Sequence, residues 1–180
     1  MVLPRVLHNA LEFLTHPNLA AIIMTRDERL DTLAAEMGFP LNEEIKVGGK
    51  YTPVLIDGEM AYVAGQIPRV GNEVRFVGAA GEAIPLEDAK RAAGISAIRA
   101  LALIRNACGS LDAIVSVPRI NVFVRSAPDF TQQSEVADGA SDVLSTVLEN
   151  AGVHTRTSVG AFQLPKGAVV EVDFCFKVSR

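Results

Sequence analysis

The sequence predicts an α+β protein in which two long helices pack on one face of a mixed sheet. The first indication is a change of period: helical spacing dominates the start of the chain, and alternating strand-like runs begin near residue 51. The second is the order of the remaining predicted elements, β-β-β-α-β-α-β-β, which gives six strands and two interspersed helices. Runs of strands with such helices are typical of α+β folds, and 180 residues fit one compact domain with an appendage.

The appendage is predicted as an N-terminal helical extension with its linker, residues 1–45, ahead of a main domain over residues 46–180. Residues 1–16, MVLPRVLHNALEFLTH, can form a short amphipathic helix that ends before Pro17. The extension either packs on the main domain, caps an assembly or covers the mouth of a pocket.

A second helix of the extension has a clear start. Thr25 is a candidate N-cap, and Glu28 follows three residues later, which is the spacing of a capping box. Apolar residues then mark one helical face, and Gly38 ends the helix. The polar stretch LNEEIKVGGK is predicted to be a linker.

The main domain begins with strands. TPVLIDGEMAYVAG contains Asp57-Gly58 between two apolar runs, which favours a β-hairpin, and NEVRFVG predicts a third, shorter strand. The first long helix has Glu87 in its first turn and ends at Gly109. The strand AIVSVPRINVFV follows, and a second long helix ends at Gly152.

The last two strands are predicted to form a hairpin around a turn at residues 164–167. In that register Gly160 lies opposite Glu171, so Arg156 and Ser158 line the same face as Glu171. The charges on this face are either a solvated sheet surface or two ends of a small-ligand site, and alternation alone does not decide between them.

Composition excludes several classes of function. A net charge of −4, a pI near 5.4, no Trp and only two Tyr argue against a nucleic-acid binder. Cys108 and Cys175 stand far apart without a CxxC pair, so neither a disulfide framework nor a metal site is expected. No apolar run approaches the roughly 20 residues of a membrane span. We therefore expect a soluble, cytoplasmic protein that binds no metal.

The sequence also lacks the usual motifs of nucleophilic and nucleotide-dependent enzymes. There is no GxSxG, no phosphate-binding glycine loop follows a strand, and the three histidines are scattered. Any catalysis is expected to depend on the charges near the C-terminus.

Two stretches, AYVAGQIP and TRTSVGAFQLPKGAVVEVD, resemble the motifs of the RidA/YjgF family of small trimeric proteins. The spacing agrees as well, because Tyr51 precedes Gly65 by fourteen residues, as the family's tyrosine precedes its glycine. The resemblance covers residues 46–180. It implies a chorismate-mutase-like fold and a homotrimer with sites between subunits.

The resemblance also implies a function. Members of the family hydrolyse 2-imino and 2-enamino acids to a 2-keto acid and ammonia, and they need no cofactor. Arg156 matches the arginine that binds the substrate carboxylate, which suits a planar guanidinium. Glu171 matches the acid that positions water, and Tyr51 matches a tyrosine that reaches the site from a neighbouring subunit. Ser158 stands where many members have Cys.

The sequence departs from the family at two pocket positions. Ala64 replaces the usual Ser or Thr before Gly65, and Ser134 stands where many members have Asn. These departures leave the identity of the substrate open. One alternative is a non-catalytic trimer that binds 2-keto acids or similar carboxylates. Another is an endoribonuclease, an activity attributed to some members, and the acidic pI disfavours it.

Overall fold

A computed structural model describes residues 24–179. Its helices and strands follow in the order α1 (Arg26–Glu36), β1 (Val54–Asp57), β2 (Met60–Gln66), β3 (Arg69–Val70), β4 (Glu73–Val74), α2 (Leu86–Cys108), β5 (Ile114–Arg125), α3 (Gln133–Leu148), β6 (Thr155–Ala161) and β7 (Val170–Val178). The helix predicted over residues 1–16 lies outside the described residues. None of the helices in the described part is long and apolar enough to cross a membrane.

Helix α1 begins with the predicted capping box. The Thr25 hydroxyl accepts a bond from the Glu28 amide (3.2 Å), and the Glu28 carboxylate accepts one from the Thr25 amide (2.8 Å). Leu30 and Ala34 of this helix are fully buried in the same core as the sheet. The helix therefore packs on the body of the protein, while the division of the chain at residue 45 stays a prediction.

The main sheet has the strand order β1-β2-β7-β5-β6. Only β5 and β6 are parallel, and the other neighbours are antiparallel, so the sheet is mixed. Helices α2 and α3 cover one face, whose side chains are buried. Phe174 and Phe176 of the central strand β7 stack there with ring centroids 5.9 Å apart. The predicted α+β class, with two long helices on one face of a mixed sheet, is confirmed.

The prediction of six strands in that sheet is wrong, because the main sheet has five. Strands β3 and β4 pair only with each other, two residues from each, in a separate ribbon. Its turn contains Gly71 (φ 57°), and Phe76 soon afterwards adopts φ 56°. A residue in this left-handed region cannot continue an extended strand, so NEVRFVG turns away before it reaches the sheet.

The predicted C-terminal hairpin is also wrong, because β5 lies between β6 and β7. Strand β6 is reached from β5 through helix α3, and such a crossover delivers a parallel neighbour. Arg156 pairs with Ile120, whereas Glu171 pairs with Phe123 of the same strand. Since those two β5 residues are three apart, their side chains point to opposite faces. Arg156 therefore lies on the helix side and Glu171 on the other side.

That other face of the sheet has no covering layer in the part of the chain that the structure describes. Several apolar side chains on it stay open to solvent: Leu55 is 56% exposed, Tyr62 45% and Val159 44%. Leu55 and Tyr62 are direct cross-strand neighbours. An uncovered sheet face with apolar residues of this size is typical of a surface that meets another protein.

Candidate functional site

The predicted site residues fall into two groups within one chain. The first group, which we call the glutamate cavity, surrounds an opening next to strand β2 and contains Tyr51, Ala64, Gly65 and Glu171. The second, which we call the arginine cluster, lies where β6 meets helix α3 and contains Arg156, Ser158 and Ser134. Because Arg156 and Glu171 leave opposite faces of the sheet, one chain does not bring them into one site.

The glutamate cavity has a volume of about 420 Å³, within the usual range for small-ligand sites. Segment 45–48 and Tyr51 line it together with residues 64–67. Four basic residues, Lys46, Arg69, Arg99 and Lys166, also line it, and Glu171 is its one acidic residue.

A β-bulge shapes the wall of this cavity. Val63 pairs with Phe174 and Gln66 pairs with Val172, so residues 64–65 stand opposite a single position of β7. The extra residue interrupts the ladder and bends β2. The bulged residues Ala64 and Gly65 stand opposite Asp173, and both line the cavity.

Gly65 is required for the position of the glutamate. A Cβ placed on Gly65 would lie 2.8 Å from Cδ of Glu171 and closer still to its Oε1. Any other residue at this position would push the carboxylate away. The glycine of AYVAGQIP and the glutamate of VVEVD thus form one structural unit.

The environment of Glu171 suits proton transfer. The side chain is half-buried, and burial, followed by the neighbouring carboxylate of Asp173, raises the pKa of the Glu171 carboxyl above its usual range. Among the described residues no Lys, Arg or His lies within 4.0 Å of its oxygens. A carboxyl whose pKa moves toward neutral pH can both take and return a proton.

In the arginine cluster, Arg156 is held by helix α3. Its guanidinium donates to Asp138 Oδ1 (2.7 Å), Ser141 Oγ (2.7 Å) and the Ser134 carbonyl (3.1 Å). These bonds use three of the five N–H groups of an arginine and leave two for a ligand. The side chain is 26% exposed, so its position is fixed while part of it remains accessible.

The two serines of the cluster also meet. Ser134 Oγ and Ser158 Oγ lie 3.3 Å apart, and Ser158 shares the face of Arg156 because it pairs with Val122, two residues after Ile120. Together they place hydroxyl groups beside the guanidinium, where they can bond to a small polar ligand.

Sequence reasoning missed Asp138 and Ser141, although a signal was present. Ser134, Asp138 and Ser141 follow each other at spacings of four and three, which puts them on one face of a helix. A polar stripe on that face predicts a partner on the neighbouring strand.

It also missed Arg69, Arg99 and Gln66 in the glutamate cavity. Gln66 is buried, donates to the Ala64 carbonyl (2.8 Å) and accepts from Arg99 Nε (3.2 Å). Arg99 stands inside an otherwise apolar run, ISAIRALAL, and a charge in such a run was the available signal.

Residues 31–176 match the family model described as "YjgF/chorismate mutase-like, putative endoribonuclease". The chain belongs to the RidA/YjgF family. The resemblance predicted from two motifs is confirmed, and the family match begins inside α1.

Relatives of this RidA/YjgF chain include protein TCP17 of Trypanosoma cruzi, which is 36% identical over 138 residues, 76% of this chain and 86% of that protein. Among solved structures, Atu1372 of Agrobacterium tumefaciens, a protein of unknown function, is 33% identical with a TM-score of 0.76, covering 86% of this chain and 94% of that one. The Escherichia coli YjgF gene product is 22% identical with a TM-score of 0.54, covering 79% and 97%, and shares the fold.

The two positions predicted to depart from the family pattern, Ala64 and Ser134, lie in different groups of the site. Ala64 lines the cavity with a methyl group, and its carbonyl is taken by Gln66. Ser134 uses its carbonyl to hold Arg156.

Within residues 24–179 no three His, Cys, Asp or Glu side chains are grouped as metal ligands.

Proposed function

We propose that this protein is a homotrimeric hydrolase that converts small 2-imino or 2-enamino acids into 2-keto acids and ammonia without a cofactor. The observation that carries the proposal is the half-buried Glu171, whose pKa is raised by burial, lying over Gly65 in a cavity of small-molecule size. Membership of the RidA/YjgF family supports the same reaction class.

The active site forms between two copies of the chain. One copy supplies the arginine cluster and its neighbour supplies the glutamate cavity, because the two groups cannot meet within one chain. The exposed sheet face with Leu55, Tyr62 and Val159 supports self-association. In this arrangement Tyr51 reaches the Arg156 of the neighbouring subunit together with Glu171.

Binding comes first in the proposed mechanism. Arg156 binds the substrate carboxylate through its positive charge and a charge-assisted hydrogen bond from one of its two remaining N–H groups, on Nε and Nη1. Ser134 and Ser158 lie beside it and can orient the same group. This fixes the imine carbon with respect to the cavity of the neighbouring subunit, and orientation of this kind supplies much of the acceleration.

Glu171 then handles the protons. As a carboxylate it accepts a proton from water while the water oxygen bonds to the imine carbon, which gives a carbinolamine. The protonated Glu171 returns that proton to the amine nitrogen, the C–N bond breaks to release ammonia, and the carbinolamine hydroxyl gives its proton to that ammonia as it becomes the ketone. The products are the 2-keto acid and ammonium. A 2-enamino acid first takes a proton from solvent at C3 and becomes the iminium, whose carbon is electrophilic, so a positioned acid–base group is sufficient.

The experiment compares keto-acid release from 2-aminoacrylate generated in situ, with spontaneous hydrolysis as the baseline. We expect wild type to accelerate release and both Arg156→Ala and Glu171→Gln to abolish most of the acceleration. Arg91→Ala and Glu82→Gln, both exposed positions, are the matched controls and should keep wild-type rates.

Two outcomes would contradict the proposal. Wild type without any acceleration would reject deamination of this substrate, and retained binding of pyruvate or 2-oxobutyrate would then favour the non-catalytic carboxylate binder. Full activity of Glu171→Gln would remove Glu171 from the mechanism.

A further inference from the structure

The glutamate cavity contains two arginines that the mechanism above does not use. Arg99 is 5% exposed and is the one charged side chain among the buried residues of the described chain. Arg69 lies beside it, and its carbonyl accepts a hydrogen bond from Arg99 (2.9 Å). Both residues line the cavity.

Neither arginine has a carboxylate partner within the described residues. Four of the ten arginines within residues 24–179 have a carboxylate within 4.0 Å, namely Arg26, Arg29, Arg105 and Arg156, and of the six without one only Arg99 is buried. The Arg99 guanidinium is instead held by neutral oxygens, from Gln66 (3.2 Å), the Arg69 carbonyl and the Lys46 carbonyl (3.3 Å). A buried guanidinium without an anion is an unfavourable arrangement.

Arg69 supplies a second, independent observation. Its Nε is the one buried side-chain nitrogen or oxygen in the described chain that has no hydrogen-bond partner. Buried donors without a partner are rare in folded proteins, and those that occur often mark a position that an ion, a ligand or an ordered water fills. The two residues that carry these observations, Arg69 and Arg99, line the same cavity.

The charged residues that line the cavity also favour the binding of an anion. Four basic residues line it against the single carboxyl of Glu171, which leaves an excess of three positive charges when Glu171 is ionised. The chain as a whole carries a net charge of −4. Burial and the neighbouring Arg69 lower the pKa of Arg99 to about 10, so Arg99 stays charged at neutral pH.

We propose that Arg69 and Arg99 bind a second anionic group of the substrate, so that the preferred substrate is a 2-imino acid whose side chain ends in a carboxylate. The C1 carboxylate rests on Arg156 of one subunit, and the distal carboxylate rests on Arg69 and Arg99 of the next. Glu171 lies in the same cavity as the arginine pair. As a substrate assignment this inference rests on the proposed deaminase function, whereas the anion site itself does not.

Binding is tested first, with two keto acids of equal chain length. Calorimetry compares 2-oxoglutarate, which has the distal carboxylate, with 2-oxopentanoate, which lacks it. We expect wild type to bind 2-oxoglutarate about tenfold tighter or more, the effect of a charge-assisted hydrogen bond. Arg69→Gln should remove most of this preference and leave the affinity for 2-oxopentanoate unchanged. A wild type without preference, or an unchanged preference in Arg69→Gln, overturns the inference.

Two further variants separate charge recognition from structure. Arg75→Gln changes an exposed arginine outside the cavity and should keep the full preference. Arg99→Lys retains the positive charge but loses the planar set of guanidinium N–H groups. It should therefore keep more of the preference for 2-oxoglutarate than Arg99→Gln. Thermal melts show which variants fold, and if Arg99→Gln does not fold, Arg69→Gln decides the question.

Turnover is tested separately, with imines formed by an amino-acid oxidase from glutamate and from norvaline. Hydrolysis of both imines without preference for the acidic one rejects the assignment of an acidic substrate and leaves the deaminase proposal standing. Absence of hydrolysis with an intact binding preference for 2-oxoglutarate rejects the deaminase proposal and leaves the anion site standing. The two proposals therefore fail in distinguishable ways.

Discussion

The arginine cluster and the glutamate cavity differ in whether their arginines have a carboxylate partner. In the cluster, Arg156 is paired with Asp138 and bonded to Ser141, so its charge is already balanced and its geometry is fixed. In the cavity, neither Arg69 nor Arg99 has a carboxylate partner among residues 24–179. The contrast supports two kinds of anion contact: Arg156 is preorganised by helix α3, whereas Arg69 and Arg99 lack any carboxylate of the described residues and are free to pair with a ligand.

The arginine cluster and the glutamate cavity also differ in the backbone that forms them. The cluster lies on a regular strand and a regular helix, where side chains alone define the surface. The cavity depends on a bulge in β2 and on the missing side chain of Gly65. Substitutions that add volume should therefore damage the cavity far more than the cluster.

The largest expected effect tests this difference with one type of substitution. Gly65→Ala places a Cβ inside the contact distance of Glu171 and should displace the carboxylate. We expect deaminase activity to fall about 100-fold or more, in the range of a lost general base. Gly160→Ala, beside the cluster, meets its nearest atom at 3.4 Å and should keep most activity. Equal loss in both variants, measured as kcat/KM, would contradict the comparison.

An intermediate effect concerns Glu171 and stability. Because burial raises the pKa of this carboxyl, the folded state binds its proton more tightly than the unfolded state. The protonated carboxyl therefore contributes to the free energy of unfolding at a pH below the pKa of the unfolded chain. This contribution is lost as the pH rises through the raised pKa of the folded protein. Glu171→Gln should therefore melt at a higher temperature than wild type at pH 7 to 8, and the difference should shrink toward pH 4. A lower melting temperature of Glu171→Gln at pH 7 would show that the carboxylate is stabilised in the fold.

The smallest expected effect concerns Asp138. Asp138→Asn keeps an oxygen for Arg156 but removes the competing negative charge. We expect KM for the imine substrate to fall by a few fold with kcat unchanged, since a partly exposed ion pair is worth about 1 kcal/mol or less. The change should weaken at high salt. A rise in KM would mean that Asp138 holds Arg156 in place and does not compete with the substrate.

Much of the fold followed from local sequence patterns, but strand neighbours did not. The capping box at Thr25 depends on residues three apart, and the buried face of β7 depends on alternation, so both could be predicted. Alternation shows which side of a strand is buried and does not show which strand lies beside it. The predicted C-terminal hairpin was wrong for this reason, and so was the shared face of Arg156 and Glu171.

Local sequence patterns also did not show which residues of the candidate site lie next to each other. The motifs located Arg156, Glu171 and Gly65, but the contact between Gly65 and Glu171 arises only when β2 pairs with β7. Arg99 meets Gln66 across 33 positions of sequence, and no local pattern connects them. Long-range packing therefore decides which charges share a cavity.

The most direct test of the central claim, that each active site needs two copies of the chain, is complementation between inactive variants. Arg156→Ala and Glu171→Gln are mixed as unfolded subunits in equal amounts and refolded together. If the site lies between subunits of a closed ring, random assembly should restore about a quarter of the wild-type activity per site. A mixture that stays as inactive as the separate variants, with mixed trimers confirmed by mass spectrometry, would contradict the account.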